Sequence, residues 1–131
     1  MKAELENKLY EKYPGIFRQK DMSCQETCMC WGISTGDGWY NLIDDLCDKI
    51  QKYIDVTGKE QVEAMQVKEK FGGLRFYIGG ADDIVYNYIY EAESESYKTC
   101  EACGGKEDVS QTKGGWITTL CGECMNSEGE D

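Results

Sequence analysis

Two pairs of cysteines near the end of the chain constrain its fold more than any other feature. Each pair has the spacing Cys-x-x-Cys, and seventeen residues separate the two pairs. Such a turn points both sulfurs at one metal ion, and structural zinc sites take four tetrahedral ligands, commonly thiolates. Two disulfides, a redox-active pair or free thiols are the alternatives. The spacing favours one structural zinc ion, with the ligands Cys100, Cys103, Cys121 and Cys124.

The residues between the two pairs indicate how the module is built. Glycine pairs at 104–105 and 114–115 punctuate a short polar run, and Trp116 to Leu120 is typical of a strand. This order predicts a knuckle, a hairpin, a second knuckle and a short helix, as in a zinc ribbon or a treble-clef-like module. We expect the module and an acidic tail to occupy residues 99–131.

The four remaining cysteines have no common metal-binding spacing. One hypothesis is a second metal site; the alternative is thiols in the core or on the surface, because free cysteine is often buried. No secretion signal precedes them and no run approaches a membrane span, so we expect a cytoplasmic, reducing compartment in which disulfides are rare. The cysteines concerned are Cys24, Cys28, Cys30 and Cys47.

The absence of histidine limits the chemistry that the chain can perform. None of the 131 residues is histidine, which removes the commonest general base and every Ser-His or Cys-His nucleophile pair. No other catalytic combination stands out, so we expect that the protein is not an enzyme.

The negative charge is concentrated in the second half of the chain. Residues 1–78 hold 11 Lys and Arg against 13 Asp and Glu, a net of −2, whereas residues 79–131 hold 3 against 12, a net of −9. A nucleic-acid-binding zinc module normally carries a basic surface. The opposite sign argues against DNA or RNA as the direct partner of this module.

The first 98 residues predict an α+β core of helices packed on a small antiparallel sheet. Apolar residues recur at helical spacing in three segments, and alternation around Gly72-Gly73 predicts a β-hairpin. Asp37 is the expected N-cap of the second helix and Asp82 or Asp83 that of the third, while Gly58 ends the second. The predicted elements are helix 2–13, helix 38–56, hairpin 62–78 and helix 82–98.

The expected hairpin carries a basic face. With Gly72-Gly73 as a two-residue loop, Lys70 opposes Arg75 and Lys68 opposes Tyr77, while Met65 and Phe71 point to the core. Lys68, Lys70, Arg75 and Tyr77 then share the other face, where like charges need compensation. An acidic segment of the same chain, within residues 79–95, is one source; an anionic ligand or partner is the other.

Several motifs resemble a family of small accessory proteins of tailed bacteriophages and prophages. They are the Lys-Glu-Lys-Phe-Gly-Gly-Leu-Arg-Phe-Tyr hairpin at 68–77, Gly-Asp-Gly-Trp at 36–39, the first cysteine knuckle, and Gly-Gly-Trp-Ile-Thr-Thr-Leu-Cys at 114–121. The resemblance implies a phage protein acting in the bacterial cytoplasm. It implies no assigned enzymatic activity.

These observations favour a zinc-stabilised, acidic protein that binds and blocks a host protein, such as a defence or nucleic-acid-processing protein. A dense negative surface can dock on a basic site that normally holds nucleic acid. One alternative is a nucleic-acid-binding module that uses the basic hairpin face. Another is an enzyme whose reaction the sequence does not identify.

Overall fold

The computed structural model describes residues 1–129, with side chains up to residue 126, and confirms the α+β fold. Three short 3-10 helices, at Arg18–Asp21, Met29–Trp31 and Asp37–Trp39, join the first elements of the chain. Residues 130 and 131, the end of the expected acidic tail, lie outside this part. The helices and strands are α1 Ala3–Lys12, β1 Ile33–Ser34, α2 Tyr40–Thr57, β2 Ala64–Lys70, β3 Gly73–Ile78, α3 Asp83–Ser96, β4 Ser110–Gln111, β5 Thr119–Leu120 and α4 Gly122–Gly129.

The main core lies between the helices and one face of a three-stranded sheet. Helix α2 supplies a stripe of buried residues at three- and four-residue spacing, which confirms the periodicity expected for it. It ends at Gly58, which has the left-handed φ of 71° that favours glycine. The largest fully buried side chains include Trp39, Phe17 and Leu9.

The sheet has the order β1-β2-β3, and its first strand was not expected. β1 pairs with β2 in parallel, with Ile33 beside Val67 and Ser34 beside Lys68. A two-residue strand is too short to show alternation in the sequence. It nevertheless covers one edge of the hairpin and makes the sheet mixed.

Helix α3 covers the other edge of the sheet. Its N-cap is Asp82, as expected, and the Asp82 carboxylate accepts from the Val85 N–H at 3.1 Å. Near its end, Ser96 Oγ accepts from the Leu74 N–H at 2.9 Å and the Glu93 carboxylate from the Phe76 N–H at 3.1 Å. Side chains of α3 thus accept hydrogen bonds from the outward N–H groups of the edge strand β3, so these groups are not free to pair with another strand.

The hairpin register differs from the expected one. Lys70 pairs with Gly73 and Lys68 with Arg75, so the turn is formed by Phe71 and Gly72, with φ of 54° and 85°. The predicted pairing of Lys70 with Arg75 is therefore wrong. Gly73 is instead the first residue of β3, and it lies against the Tyr97 ring, where a Cβ would overlap the phenol.

The slip leaves the two faces of the hairpin as expected, except at its ends. Beyond the irregularity near its start, each residue of β2 pairs with a β3 residue two positions earlier than expected; Lys68, for example, pairs with Arg75 and not with Tyr77. Because side chains alternate between the faces every second residue, a shift of two leaves each side chain on its expected face. Val67, Leu74 and Phe76 are buried in the core. The expectation that Met65 and Phe71 point to the core is wrong: Met65 lies at a register irregularity and Phe71 in the turn, and both are exposed.

The expected helix cap at Asp37 is also wrong. Its carboxylate accepts from the Lys2 backbone N–H at 2.8 Å, and no side chain caps α2. The Gly-Asp-Gly segment before α2 is held by other contacts, described below. None of the helices within residues 1–129 combines the length and the apolar character that crossing a membrane requires.

Candidate metal centre

The structure brings together the four cysteines that their spacing selects. One ligand atom from each of Cys100, Cys103, Cys121 and Cys124 lies within 4.8 Å of the other three. Four sulfurs held tetrahedrally by one ion at about 2.3 Å would lie about 3.8 Å apart. The Cys103 and Cys121 sulfurs are 3.6 Å apart, and all four cysteines are free thiols. The cluster could therefore hold a metal ion.

The expected order of elements around the cluster is also present, but the strand expected from Trp116 to Leu120 is limited to Thr119–Leu120, and Trp116 lies exposed outside it. The first pair lies in the knuckle after α3, β4 and β5 form an antiparallel ribbon, and the second pair is carried into α4. Gly104 has a φ of 82°, and its N–H donates to the Cys100 carbonyl at 2.8 Å. This tight turn forms the first knuckle, and the order of knuckle, hairpin and helix is that of a treble-clef-like module.

Backbone groups prepare one cysteine for ionisation. Burial disfavours the Cys100 thiolate, but backbone N–H groups of Cys121, Cys103 and Ala102 outweigh it and lower its pKa to about 7. The Gly105 N–H likewise points at the Cys103 sulfur at 3.4 Å. Hydrogen bonds between the sulfurs raise the pKa of Cys124. A cation in the cluster would favour the thiolate form at all four positions.

The Gly-Asp-Gly-Trp segment packs its backbone directly against the first knuckle. The Gly38 N–H donates to the Glu101 carbonyl at 2.8 Å, and the Gly36 N–H to the Glu101 carboxylate at 2.8 Å. A Cβ at Gly38 would lie 2.5 Å from the Gly104 nitrogen, closer than side chains approach backbone. The buried Trp39 indole N–H donates to the Thr99 carbonyl at 2.9 Å. Glycine is thus required here for close approach.

The tip of the hairpin rests on the β4-β5 ribbon. Thr119 Oγ1 donates to the Gly72 carbonyl at 2.6 Å, and a Cβ at Gly72 would be 3.1 Å from the Ile117 side chain. The Gln111 amide donates to the Tyr97 carbonyl at 3.1 Å. The module is therefore fixed to both the hairpin and the segment that precedes α2.

The other four cysteines are not gathered into a site. Cys24 and Cys30 form a disulfide, contrary to the expectation of free thiols, because the loop between them brings their Cα atoms to 5.3 Å. Cys28 is exposed, and Cys47 is fully buried in α2, where burial raises its pKa. Within residues 1–126, the cluster described above is the one group that could hold a metal.

The predicted basic face is formed, but its neutralising segment is not as expected. Lys68, Lys70, Arg75 and Tyr77 share the sheet face that is turned away from the core. No carboxylate of the described residues forms an ion pair with any of the three cations. Residues 79–95 therefore give this face no ion pair, although the charge of Glu93 is near enough to raise the pKa of Arg75.

The sequence interpretation missed how Gly36 and Gly38 act at the metal centre. The signal was present in the Gly-Asp-Gly-Trp motif, but glycine beside a helix start is as compatible with a cap as with close packing.

Comparisons with protein-family models, with curated proteins and with solved structures find no match to this chain.

Proposed function

We propose that this chain is a zinc-stabilised binding protein that covers a basic surface of a protein partner. The observation that carries the proposal is the solvent-facing side of α3, called here the α3 outer face. It contains no lysine or arginine and includes two large apolar side chains that are not buried. Its residues are Asp83, Ile84, Asn87, Tyr90, Glu91 and Ser94.

The composition of this face resembles that of protein interfaces. Ile84 is 46% exposed and Tyr90 is 59% exposed, and Tyr86 stacks against the Tyr90 ring at 6.3 Å. Aromatic anchors surrounded by a charged rim are typical of binding surfaces. Asp83 and Glu91 supply negative charges at the rim, which suit a basic partner and accelerate encounter.

The metal centre contributes stiffness in this proposal. Zinc is the ion that best suits four thiolates, and four protein ligands leave it no open position for chemistry. The cluster follows directly after α3, whose last turn is bonded to β3. A rigid helix presents its outer face with little ordering cost on binding.

The resemblance to small phage proteins makes a host protein the expected partner. The net charge of −9 in residues 79–131 points to a basic target, such as a surface that normally holds nucleic acid. Occupying that surface would block it by competition.

Site-specific photocrosslinking in a bacterial host tests the proposal. A photoreactive residue at Tyr90 is compared with one at Val56, which is 86% exposed at the end of α2 and lies outside the α3 outer face. We expect one protein to crosslink from position 90, less at high salt, and not from position 56. Glu91→Lys should abolish that product.

The proposed blocking is tested with the captured partner. The captured partner should bind heparin, a polyanion, and adding the acidic protein should abolish that binding. The acidic protein with Tyr90→Ala and Glu91→Lys should leave heparin binding intact. Equal crosslinking from positions 90 and 56, or a captured protein without a basic surface, would refute the proposal.

A further inference from the structure

The solvent-facing side of the three-stranded sheet is basic in a strongly acidic protein. Alternation along the paired strands places Ser34, Gln66, Lys68, Lys70, Arg75 and Tyr77 on this side, called here the open face. It holds three cations and no carboxylate, whereas the whole chain has a net charge of −11. Such segregation of charge calls for a physical explanation.

Among the described residues, the open face shares its lack of ion pairs with Lys8, Lys49, Lys98 and Lys113. Seven Lys and Arg side chains of the described residues form ion pairs, and none of them lies on this face. Lys68 opposes Arg75 directly across the strands, an arrangement that destabilises a hairpin unless an anion relieves it. No ion pair among the described residues therefore neutralises the open face.

Aromatic rings accompany each cation. Lys68 Nζ lies 5.9 Å from the Tyr77 ring centre, and Lys70 Nζ lies 5.6 Å from that of Phe71. The Arg75 guanidinium donates to the Tyr97 hydroxyl at 3.2 Å; this bond, with the nearby Glu93 charge, raises the pKa of Arg75. Glu93 itself is engaged by the Phe76 N–H and makes no ion pair with Arg75.

Space for a flat group exists beside the exposed ring. A surface pocket of about 320 Å³ lies between Tyr77, Gln66 and the loop that the Cys24–Cys30 disulfide closes, and Glu26 of that loop also lines it. Tyr77 is 43% exposed, and the Lys68 ammonium lies over its ring. Cations in a row with adjacent aromatic rings are the usual means of holding a single-stranded nucleic acid, with phosphates on the cations and bases on the rings.

We propose that the open face binds a short segment of single-stranded nucleic acid. Lys68, Lys70 and Arg75 hold the phosphates, and one base stacks at Tyr77, where the flexible Lys68 side chain moves from the ring to a phosphate. An acidic peptide would satisfy the cations but has no flat π-system for the rings. This surface is separate from the α3 outer face, so the two proposals can fail independently.

Fluorescence anisotropy with a labelled eight-nucleotide oligothymidine tests the proposal on the full-length, metal-loaded chain. For three phosphate contacts, the logarithm of the association constant should fall with the logarithm of the salt concentration with a slope of about −2. A tenfold rise in salt concentration should then weaken binding about 100-fold. An eight-residue oligoglutamate of similar charge is measured in parallel. It should bind at least tenfold more weakly than the oligonucleotide.

Matched variants locate the binding. Lys70→Glu with Arg75→Glu should lower affinity by more than tenfold, and Lys68→Gln with Lys70→Gln, which leaves the Tyr97 contact intact, by about fivefold. Lys8→Glu with Lys49→Glu changes the net charge as the first pair does, at exposed positions off the face, and should retain most of the affinity. Tyr77→Ala should weaken binding about tenfold, and Tyr77→Phe should preserve it.

Three outcomes would overturn the proposal. They are no binding at about 20 mM salt by a protein whose circular dichroism and metal content are normal, an equal loss in the Lys8 and Lys49 control, and oligoglutamate binding as tight as that of the oligonucleotide. The last result would assign the face to an acidic protein segment.

Discussion

The cysteine module and the hairpin pack against each other at the hairpin tip, yet the sequence predicted the structure of the module better than that of the hairpin. In the module, four ligands at fixed spacing predicted both the cluster and the order of elements around it. In the hairpin, alternation predicted the faces but not the register. The difference arises because a metal knuckle is a local geometry, whereas Gly72 and Gly73 are positioned by Thr119 and Tyr97, side chains far along the chain.

Loss of the metal should separate the two regions most clearly. Chelation, or Cys100→Ser, should unfold residues 99–126 and expose the Gly36 and Gly38 N–H groups, since structural zinc in small domains supplies on the order of 10 kcal/mol. Helix α2 should stay protected by its own core. Hydrogen exchange with mass spectrometry measures both regions, with Cys28→Ser, at an exposed free thiol, as the control. Uniform loss of protection would show that the regions are one cooperative unit.

A substitution outside the cysteines should weaken the contact between the first knuckle and the segment that precedes α2. Gly38→Ala forces a Cβ against the backbone of the first knuckle, and we expect a loss of about 3 kcal/mol in unfolding free energy, with weaker metal binding. Gly115→Ala is the control, because a Cβ there meets nothing within 4 Å. Urea denaturation and a competitive metal chelator give the two readouts. Equal effects of the two substitutions would contradict the close packing.

The sheet edge provides an intermediate test. Ser96→Ala leaves the Leu74 N–H without its acceptor beneath α3, and an unsatisfied buried donor costs about 1–3 kcal/mol. Ser94→Ala, two residues away on the opposite, exposed side of α3, should change the unfolding free energy little. If Ser96→Ala left the unfolding free energy unchanged, water or another group would have to accept the Leu74 hydrogen bond at this edge.

The smallest expected effect tests the register. Phe71 is 65% exposed and has a positive φ, which is unfavourable for a bulky residue. Phe71→Asn creates the Asn-Gly turn that suits these angles, and should raise the unfolding free energy by about 0.5–1 kcal/mol. With Gly72-Gly73 as the turn, the same substitution would bring no gain, so thermal denaturation distinguishes the two registers.

The parts that the sequence predicted well are those fixed by nearby residues. The buried stripe of α2, the Asp82 cap and the Gly58 end depend on spacings within one helix, and the cysteine cluster depends on the Cys-x-x-Cys spacing of each pair. The Cys24–Cys30 disulfide is local, at a sequence separation of 6, but a reducing compartment led us to expect free thiols. Strand β1 and the Asp37 contact with Lys2 depend on segments that are distant in the sequence and meet only on folding. Long-range placement of this kind leaves no periodic signal.

Metal content is the most direct test of the central claim, that four sulfurs hold one ion and so fix the module to the rest of the chain. Native mass spectrometry of protein purified without added metal, with elemental analysis, should find one zinc per chain. Conversion of the four cysteines to serine should remove it, whereas serine at Cys24, Cys28, Cys30 and Cys47 should not. A metal-free protein with Cys100, Cys103, Cys121 and Cys124 joined as disulfides would contradict the account.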